Sequence, residues 1–228
     1  MKIISWNCNG AFRKKVQLFS PYDADYYVIQ ECENPKKFPF PDDFITLYRS
    51  VWTGLSDRHG LAVFVNHKHA ISGIYSEFQS IHDFIVLKSE QQTLLGVWTH
   101  KPNYIEDLYD FTVNYGNILN QNTIIVGDFN SNSIWDKSHG TKSHSCVVEN
   151  LRKKGLSSVW HTLNHETHGK ESVATLFFHK NVNRPFHIDY CFAHKNIMQS
   201  ISIGKFHEWI AYSDHMPLTI TLQDKDGI

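Results

Sequence analysis

Short apolar runs rich in β-branched and aromatic residues recur along the chain, with turn-forming residues between them. Residues 3–8 and 25–31 (DYYVIQE) read as the first two buried strands. Residues 13–19 read as a helix that ends before Pro21. Residues 34–43 contain Pro35, Pro39 and Pro41 and read as a loop. A β-rich middle follows, with strands at 45–52, 61–66, 71–78, 84–88 and 93–99. In residues 103–119, Ile105, Leu108, Phe111, Val113, Ile118 and Leu119 fall close to helical spacing, which predicts an amphipathic helix. Residues 123–126 form a short apolar strand that runs into Gly127-Asp128-Phe129-Asn130. Residues 145–154 read as a helix stopped by Gly155. Strands return at 174–179, 186–193, 200–205 and 216–222.

Many strands interleaved with few helices predict a layered α/β fold of two packed mixed sheets flanked by helices. No repeat or low-complexity linker divides the chain, so residues 1–228 read as one domain, long enough to bury a sizeable core. A formal net charge of -1 argues against a protein that binds phosphate backbones by bulk electrostatics. It leaves room for an enzyme that meets nucleic acid in a local groove. The four cysteines form no CxxC pair, which argues against a thiolate zinc site. Cys8, Cys32 and Cys191 sit in or beside apolar runs and read as buried thiols. With no apolar signal core and no run long enough for a membrane span, the expected location is cytoplasmic.

Polar residues then punctuate the ends of the apolar strands. Asn7 follows KIISW, Glu31 follows YYVIQ, and His100 follows LLGVWT. Asp128 and Asn130 follow TIIVG, Asp189 lies in HIDYCF, and Ser213-Asp214-His215 precedes MPLTITL. One such residue alone is usually a turn former or cap. Six such places along one chain point to a shared site.

Trp6-Asn7-Cys8-Asn9-Gly10, Gln30-Glu31, Gly127-Asp128-Phe129-Asn130, Ile188-Asp189-Tyr190 and Ser213-Asp214-His215 resemble the ordered motifs of the endonuclease/exonuclease/phosphatase superfamily, which includes deoxyribonuclease I-like and exonuclease III-like enzymes. The resemblance runs from residue 4 to residue 218. It implies a four-layer α/β sandwich with a site at one edge of its two central sheets, and divalent-metal-dependent hydrolysis of phosphate esters. Glu31 then stands as the principal ligand for Mg²⁺ or Mn²⁺, which prefer hard carboxylate oxygens. Glu33, two residues on, is a fallback ligand if the strand alternates regularly. Asn7 either orients a metal water beside Glu31 or closes a turn before Gly10, and Asp214 helps to bind metal. Asp128 is the general base that takes a proton from the attacking water. Asn130 shares its face and holds the water or a phosphate oxygen. His215 donates to a phosphate oxygen as charge builds up, and Asp189 orients it and raises its pKa. His100 contacts phosphate and should have a carboxylate partner, for which Asp57 is a candidate.

Arg13-Lys14-Lys15 and Arg152-Lys153-Lys154 are the only dense basic clusters and read as solvated helix faces. Trp52, Trp135 and Trp209 are candidates for stacking on bases, although core packing explains most such residues. Arg184 could reach a phosphate or be a loop arginine. The basic extensions by which inositol polyphosphate 5-phosphatases grip their substrates are missing after Asn130 and His215. The favoured function is therefore a nuclease acting on nucleic acid, as a monomer. The alternatives are a phosphatase or phosphodiesterase of a small molecule, nucleotide or phospholipid, and a non-catalytic binding module.

Overall fold

Two six-stranded sheets face each other, and each is built around one parallel pair. The computed structural model describes residues 1–223. In chain order the strands are β1 (Lys2–Asn7), β2 (Tyr26–Cys32), β3 (Tyr48–Ser56), β4 (His59–Asn66), β5 (Gly73–Tyr75), β6 (Phe84–Lys88), β7 (Thr93–Trp98), β8 (Thr123–Asp128), β9 (Leu156–Ser158), β10 (Leu176–Phe177), β11 (Pro185–Phe186), β12 (Asp189–His194), β13 (Met198–Ile203) and β14 (Leu218–Leu222). The helices are α1 (Asp42–Leu47), α2 (Ile105–Asn114), α3 (Asp136–His139), α4 (His144–Lys153), α5 (Val159–Asn164) and α6 (Phe206–Trp209). The first sheet runs β13-β14-β1-β2-β4-β3 and the second β5-β6-β7-β8-β12-β9, while β10 and β11 make a small hairpin. Both sheets are mixed, with helical elements outside each, as the sequence predicts.

Strand alternation assigns side chains to three apolar layers. Ile3, Tyr26, Val28, Leu61, Val63, Leu218 and Ile220 meet Ile85, Leu87, Ile124, Val126, Cys191 and Ala193 between the sheets. The outer face of the second sheet packs Leu95, Val97, Ile125 and Phe192 on Leu108 and Phe111 of α2 and on Val147 and Leu151 of α4. The outer face of the first sheet packs Ile4, Trp6, Tyr27 and Ile29 on Phe12, Val16 and Phe44. These helices are too short to persist alone. Each buried large side chain contributes about 1.5–3 kcal/mol, so packing rather than helix propensity holds them in place.

Several elements depart from the sequence expectation. Residues 13–19 form two 3₁₀ turns, Phe12–Lys14 and Val16–Phe19, rather than one α-helix. Asn9, Gly10 and Ala11 enter this segment at positive φ and Pro21 closes it, leaving too little chain for a stable α-helical nucleus. The expected loop and strand across residues 34–52 contain α1. Pro41 precedes it, Asp42 and Asp43 occupy its positive N-terminal turn, and Phe44 is buried. Residues 71–78 supply only the three-residue β5, and α5 and β9 went unpredicted. Residues 186–193 split between β11 and β12. The Thr175 hydroxyl accepts the Ile188 and Asp189 N–H groups at the break, both at 3.0 Å.

The inner rows explain where polar chemistry can collect. On β1 the row reads Ile3, Ser5, Asn7; on β8 it reads Ile124, Val126, Asp128; β12 opens with Asp189 before Cys191 and Ala193. Each row is apolar in the middle of the sandwich and polar at the same edge. At that edge β2 carries a bulge. Ile29 pairs with Ala62 but Cys32 pairs with Gly60, so Gln30 and Glu31 together oppose Leu61. Glu31 sits at φ 55, which turns its carboxylate away from the ordinary alternation.

Candidate active site

The edge where these rows end gathers most of the residues expected in the site. The Asn7 amide on β1 donates to Glu31 Oε1 at 3.1 Å and to Asp128 Oδ2 at 3.0 Å, so two carboxylates share one nitrogen. Asn7 thus links the two sheets, and its own backbone carbonyl accepts from Ser213 Oγ at 2.7 Å. This is more than an amide closing a turn, although Asn7 Oδ1 also accepts the Asn9 N–H at 3.2 Å.

Asp128 is fully buried. Its Oδ1 accepts the Asn130 N–H at 2.8 Å, and Oδ2 accepts from Asn130 Nδ2 at 3.0 Å. Asn130 stands at φ 44, and its amide also donates to Thr99 O at 2.8 Å. That tight turn, rather than extended alternation, brings Asn130 back onto the Asp128 carboxylate. Burial, and then the charge of Asp189, raise the Asp128 pKa to about 7.

His215 lies between two carboxylates. Its Nδ1 is 3.0 Å from Asp189 Oδ2, and its Nε2 is 4.0 Å from Asp128 Oδ2. Burial works against its charge, but the charges of Asp189 and Asp128 and the hydrogen bond to Asp189 outweigh it and lift the pKa to about 10. The imidazole is therefore a cation at neutral pH, oriented by Asp189. The surrounding backbone is pinned: Ser213 Oγ accepts the His215 N–H at 3.0 Å, and Trp6 Nε1 donates to His215 O at 2.9 Å.

Asp214 is half-buried, and its backbone carbonyl accepts from Phe177 N at 2.8 Å. Its charge helps to raise the His215 pKa. His100 follows β7, one residue beyond the Thr99 backbone that meets Asp128 O and Asn130. Its Nε2 is 2.7 Å from Asp83 Oδ2, which pushes the imidazole pKa up against the opposing effect of burial.

The structure corrects several expectations. The carboxylate beside His100 is Asp83, not Asp57, whose Oδ1 instead accepts from Asn34 Nδ2 at 2.7 Å. No motif surrounds Asp83; only the fold brings it to His100. Glu33 does not share a face with Glu31, because the bulge breaks the alternation. Its oxygens accept the Phe12 N–H at 2.8 Å and the Arg13 N–H at 3.0 Å, and pair with the Arg13 guanidinium at 2.8 Å. Glu33 therefore holds the first 3₁₀ turn, which also removes Arg13 from a solvated helix face. Trp52 donates to Cys32 O at 3.0 Å, and Trp209 packs against Trp6 and Phe19, so both belong to the outer core. Trp135 packs on Phe186 with ring centroids 5.2 Å apart, and the Arg184 guanidinium lies 4.5 Å from the Phe178 ring centre. Thr175 belongs to no motif, and Trp6 and Ser213, although they lie within the motifs, reveal their contacts with the His215 and Asn7 carbonyls only in the fold.

The site concentrates acid. Asp128, Asp189 and His215 each bring a potential ligand atom within 4.8 Å of the others, and Glu31 reaches Asp128 through Asn7. Buried carboxylates outnumber the one imidazolium among them. Burial first, and then the neighbouring Asp189 charge, raise the Asp128 pKa, and a divalent cation with hard oxygen preference would favour its ionised form. His215 Nδ1 is committed to Asp189, so carboxylate oxygens are the available donors, and the donor set fits Mg²⁺ or Mn²⁺ better than Zn²⁺.

Two mixed sheets with outer helices, and carboxylates and a histidine at one edge, define the α/β sandwich of the deoxyribonuclease I type. The chain belongs to the endonuclease/exonuclease/phosphatase family, whose profile matches residues 4–215. Solved structures share the fold over nearly the whole chain. A 3′ phosphatase, NExo, from Neisseria, bound to a product DNA hairpin, superposes with a TM-score of 0.75 at 17% identity, covering 98% of this chain and 100% of its own. An AP endonuclease from Archaeoglobus fulgidus gives 0.73 at 17% identity with the same coverage. The endonuclease domain of the retrotransposon TRAS1 gives 0.61 at 16%, covering 98% and 99%. No curated protein matches the sequence. No described helix is long and apolar enough to cross a membrane.

Proposed function

We propose that this chain is a divalent-metal-dependent phosphodiesterase, specifically a nuclease, working as a single catalytic domain. The observation that carries the reading is the buried imidazole of His215 between Asp189 and Asp128, one carboxylate orienting it and the other raised toward neutrality. Glu31, with Asn7 and Asp214, would hold Mg²⁺ or Mn²⁺, which neutralises phosphate charge and makes water easier to deprotonate. Asp128 accepts the proton of the attacking water. A carboxylate poised near pH 7 is a stronger base than an ordinary aspartate and remains largely ionised in mild alkali. Asn130 fixes Asp128 and can hold a phosphate oxygen. The His215 imidazolium donates from Nε2 to the oxygen on which charge accumulates. His100, whose protonated form Asp83 favours, supplies a second positive contact when charged.

We favour in-line displacement by water, without a covalent intermediate. Ser213 is committed to the Asn7 carbonyl and the His215 N–H, and burial pushes the Cys8 thiol pKa far up, so neither offers a ready nucleophile. Nucleic acid as substrate is supported by family membership and by the DNA hairpin bound to the Neisseria neighbour. The near-neutral net charge favours the second reading, hydrolysis of a small phosphorylated molecule. A Mg²⁺- or Mn²⁺-supplemented screen separates them. It would compare single-stranded, duplex, abasic and 3′-phosphorylated DNA and RNA with nucleotides, phospholipids and inositol phosphates. Turnover is expected on a polynucleotide and should disappear in EDTA. Activity that survives EDTA, or full activity in Asp128→Ala, would overturn the mechanism. Turnover confined to small molecules would overturn the nuclease assignment.

A further inference from the structure

A second group of ligating side chains lies apart from this pocket, beside α5 and the loop that follows it. His161 Nε2 is 3.0 Å from Glu171 Oε1. The His161 and His168 rings stack with centroids 3.6 Å apart and 14° between their planes, so one ring must turn for both in-plane lone pairs to meet at a common ion. One ligand atom each from His161, His168 and Glu171 falls within 4.8 Å of the others. Two further imidazoles border them: His144 Nε2 is 3.0 Å from His168 Nδ1, and the His187 ring centroid is 5.7 Å from that of His161.

The hydrogen-bond accounting of this cluster does not close with protein groups. Each neutral imidazole carries one N–H and one lone pair. His161 uses Nδ1 on Ser158 Oγ at 2.7 Å, and His187 uses Nδ1 on Val173 O at 2.8 Å. His144 Nδ1 and His187 Nε2 are buried with no partner among the described residues. Solvent reaches the group from two sides. A cavity of about 220 Å³ is lined by Glu171, His187 and Asn132, and one of about 480 Å³ by His161, His168 and Ser158.

We propose that His161, His168 and Glu171 form a second cation site, separate from the phosphoester pocket, that takes a borderline-soft transition-metal ion of the Zn²⁺ type with water completing its shell. Two imidazoles and one carboxylate match the preference of Zn²⁺, whereas Mg²⁺ prefers oxygen alone. With Nε2 on the ion, His161 donates its Nδ1–H to Ser158 Oγ, the kind of outer contact that fixes a ligand ring. The ion would tie the loop carrying His168 and Glu171 to α5. Asn132 Nδ2 donates to Glu171 Oε1 at 3.1 Å and to His187 O at 2.9 Å, so the site also braces the segment two residues beyond Asn130.

The test uses the full chain without a polyhistidine tag, stripped by chelator, reloaded with Zn²⁺ and washed with excess Mg²⁺. Elemental analysis should find about one retained zinc per chain, and Zn²⁺ should raise the melting temperature by several degrees where Mg²⁺ does not reproduce the shift. Co²⁺ in place of Zn²⁺ should give the visible absorption of a low-symmetry nitrogen–oxygen site. His168→Ala and the near-isosteric Glu171→Gln should both lose the retained zinc, while Glu31→Gln keeps it. Glu171→Gln decides the matter if His168→Ala fails to fold. No retained zinc in the wild type, or zinc kept by Glu171→Gln and lost by Glu31→Gln, would overturn the proposal.

Discussion

Asp128 and Asp189 stand directly opposite each other in the antiparallel register of β8 and β12. Like charges in that position ordinarily destabilise a sheet. Here both side chains point into the sandwich at its polar edge, and the His215 imidazole makes contact with both. The arrangement is a strained electrostatic site built into otherwise regular strands, and it leads to specific expectations.

Asp128→Asn should separate stability from activity. Removing one of two opposed carboxylates should stabilise the metal-free protein by about 1–3 kcal/mol above pH 8, where wild-type Asp128 is ionised despite its raised pKa. Below about pH 4 the carboxyl is neutral in both the folded and the unfolded wild type, and the gain should vanish. Urea unfolding in EDTA at the two pH values measures this. Hydrolysis should fall by roughly 10²–10⁴. A variant less stable than wild type at pH 8.5 would contradict the electrostatic account.

Asp189→Asn removes the main positive influence on the His215 pKa. In wild type the imidazole should remain protonated beyond pH 8; in the variant it should titrate at markedly lower pH. NMR of the ring carbons reads this directly. Turnover should fall by about 10²–10⁴ with a smaller change in KM, because the lost charge acts mainly in the transition state.

Asp83→Asn tests the His100 assignment through the pH profile. The folded-state pKa of His100 is raised, chiefly by the Asp83 hydrogen bond, so its proton is held to higher pH than on a free imidazole and lost as pH rises through the raised value. Without Asp83 the proton leaves earlier. The alkaline limb of kcat/KM should move to lower pH, with roughly a tenfold loss on that limb and little change on the acid side. An unmoved alkaline limb would place His100 outside the reaction.

Gly127→Ala should cripple folding rather than chemistry. Gly127 sits at φ 150, and an added Cβ would lie 1.9 Å from Val97 O on the neighbouring parallel strand. That contact is against backbone and cannot be relieved by a rotamer change. A loss of at least about 3 kcal/mol, seen in thermal melts, is expected.

The sequence alone identified the two-sheet α/β class and most strands, because burial on both faces writes long apolar runs. It also placed Asn7, Glu31, Asp128, Asn130, Asp189 and His215 at strand ends or turns, where polar residues interrupt those runs. It could not assign Asp83 to His100, since a single aspartate before a strand looks like any turn residue until the chain folds. Regular alternation misled the reading of Glu33, because the bulge at Glu31 depends on pairing with β4. Short helices such as α1 and α5 were also hidden, because their stability comes from packing rather than local periodicity. Strand character is a local property of residue type, and so legible. Which carboxylate neighbours which imidazole depends on register, bulges and left-handed turns, and only the tertiary structure decided it.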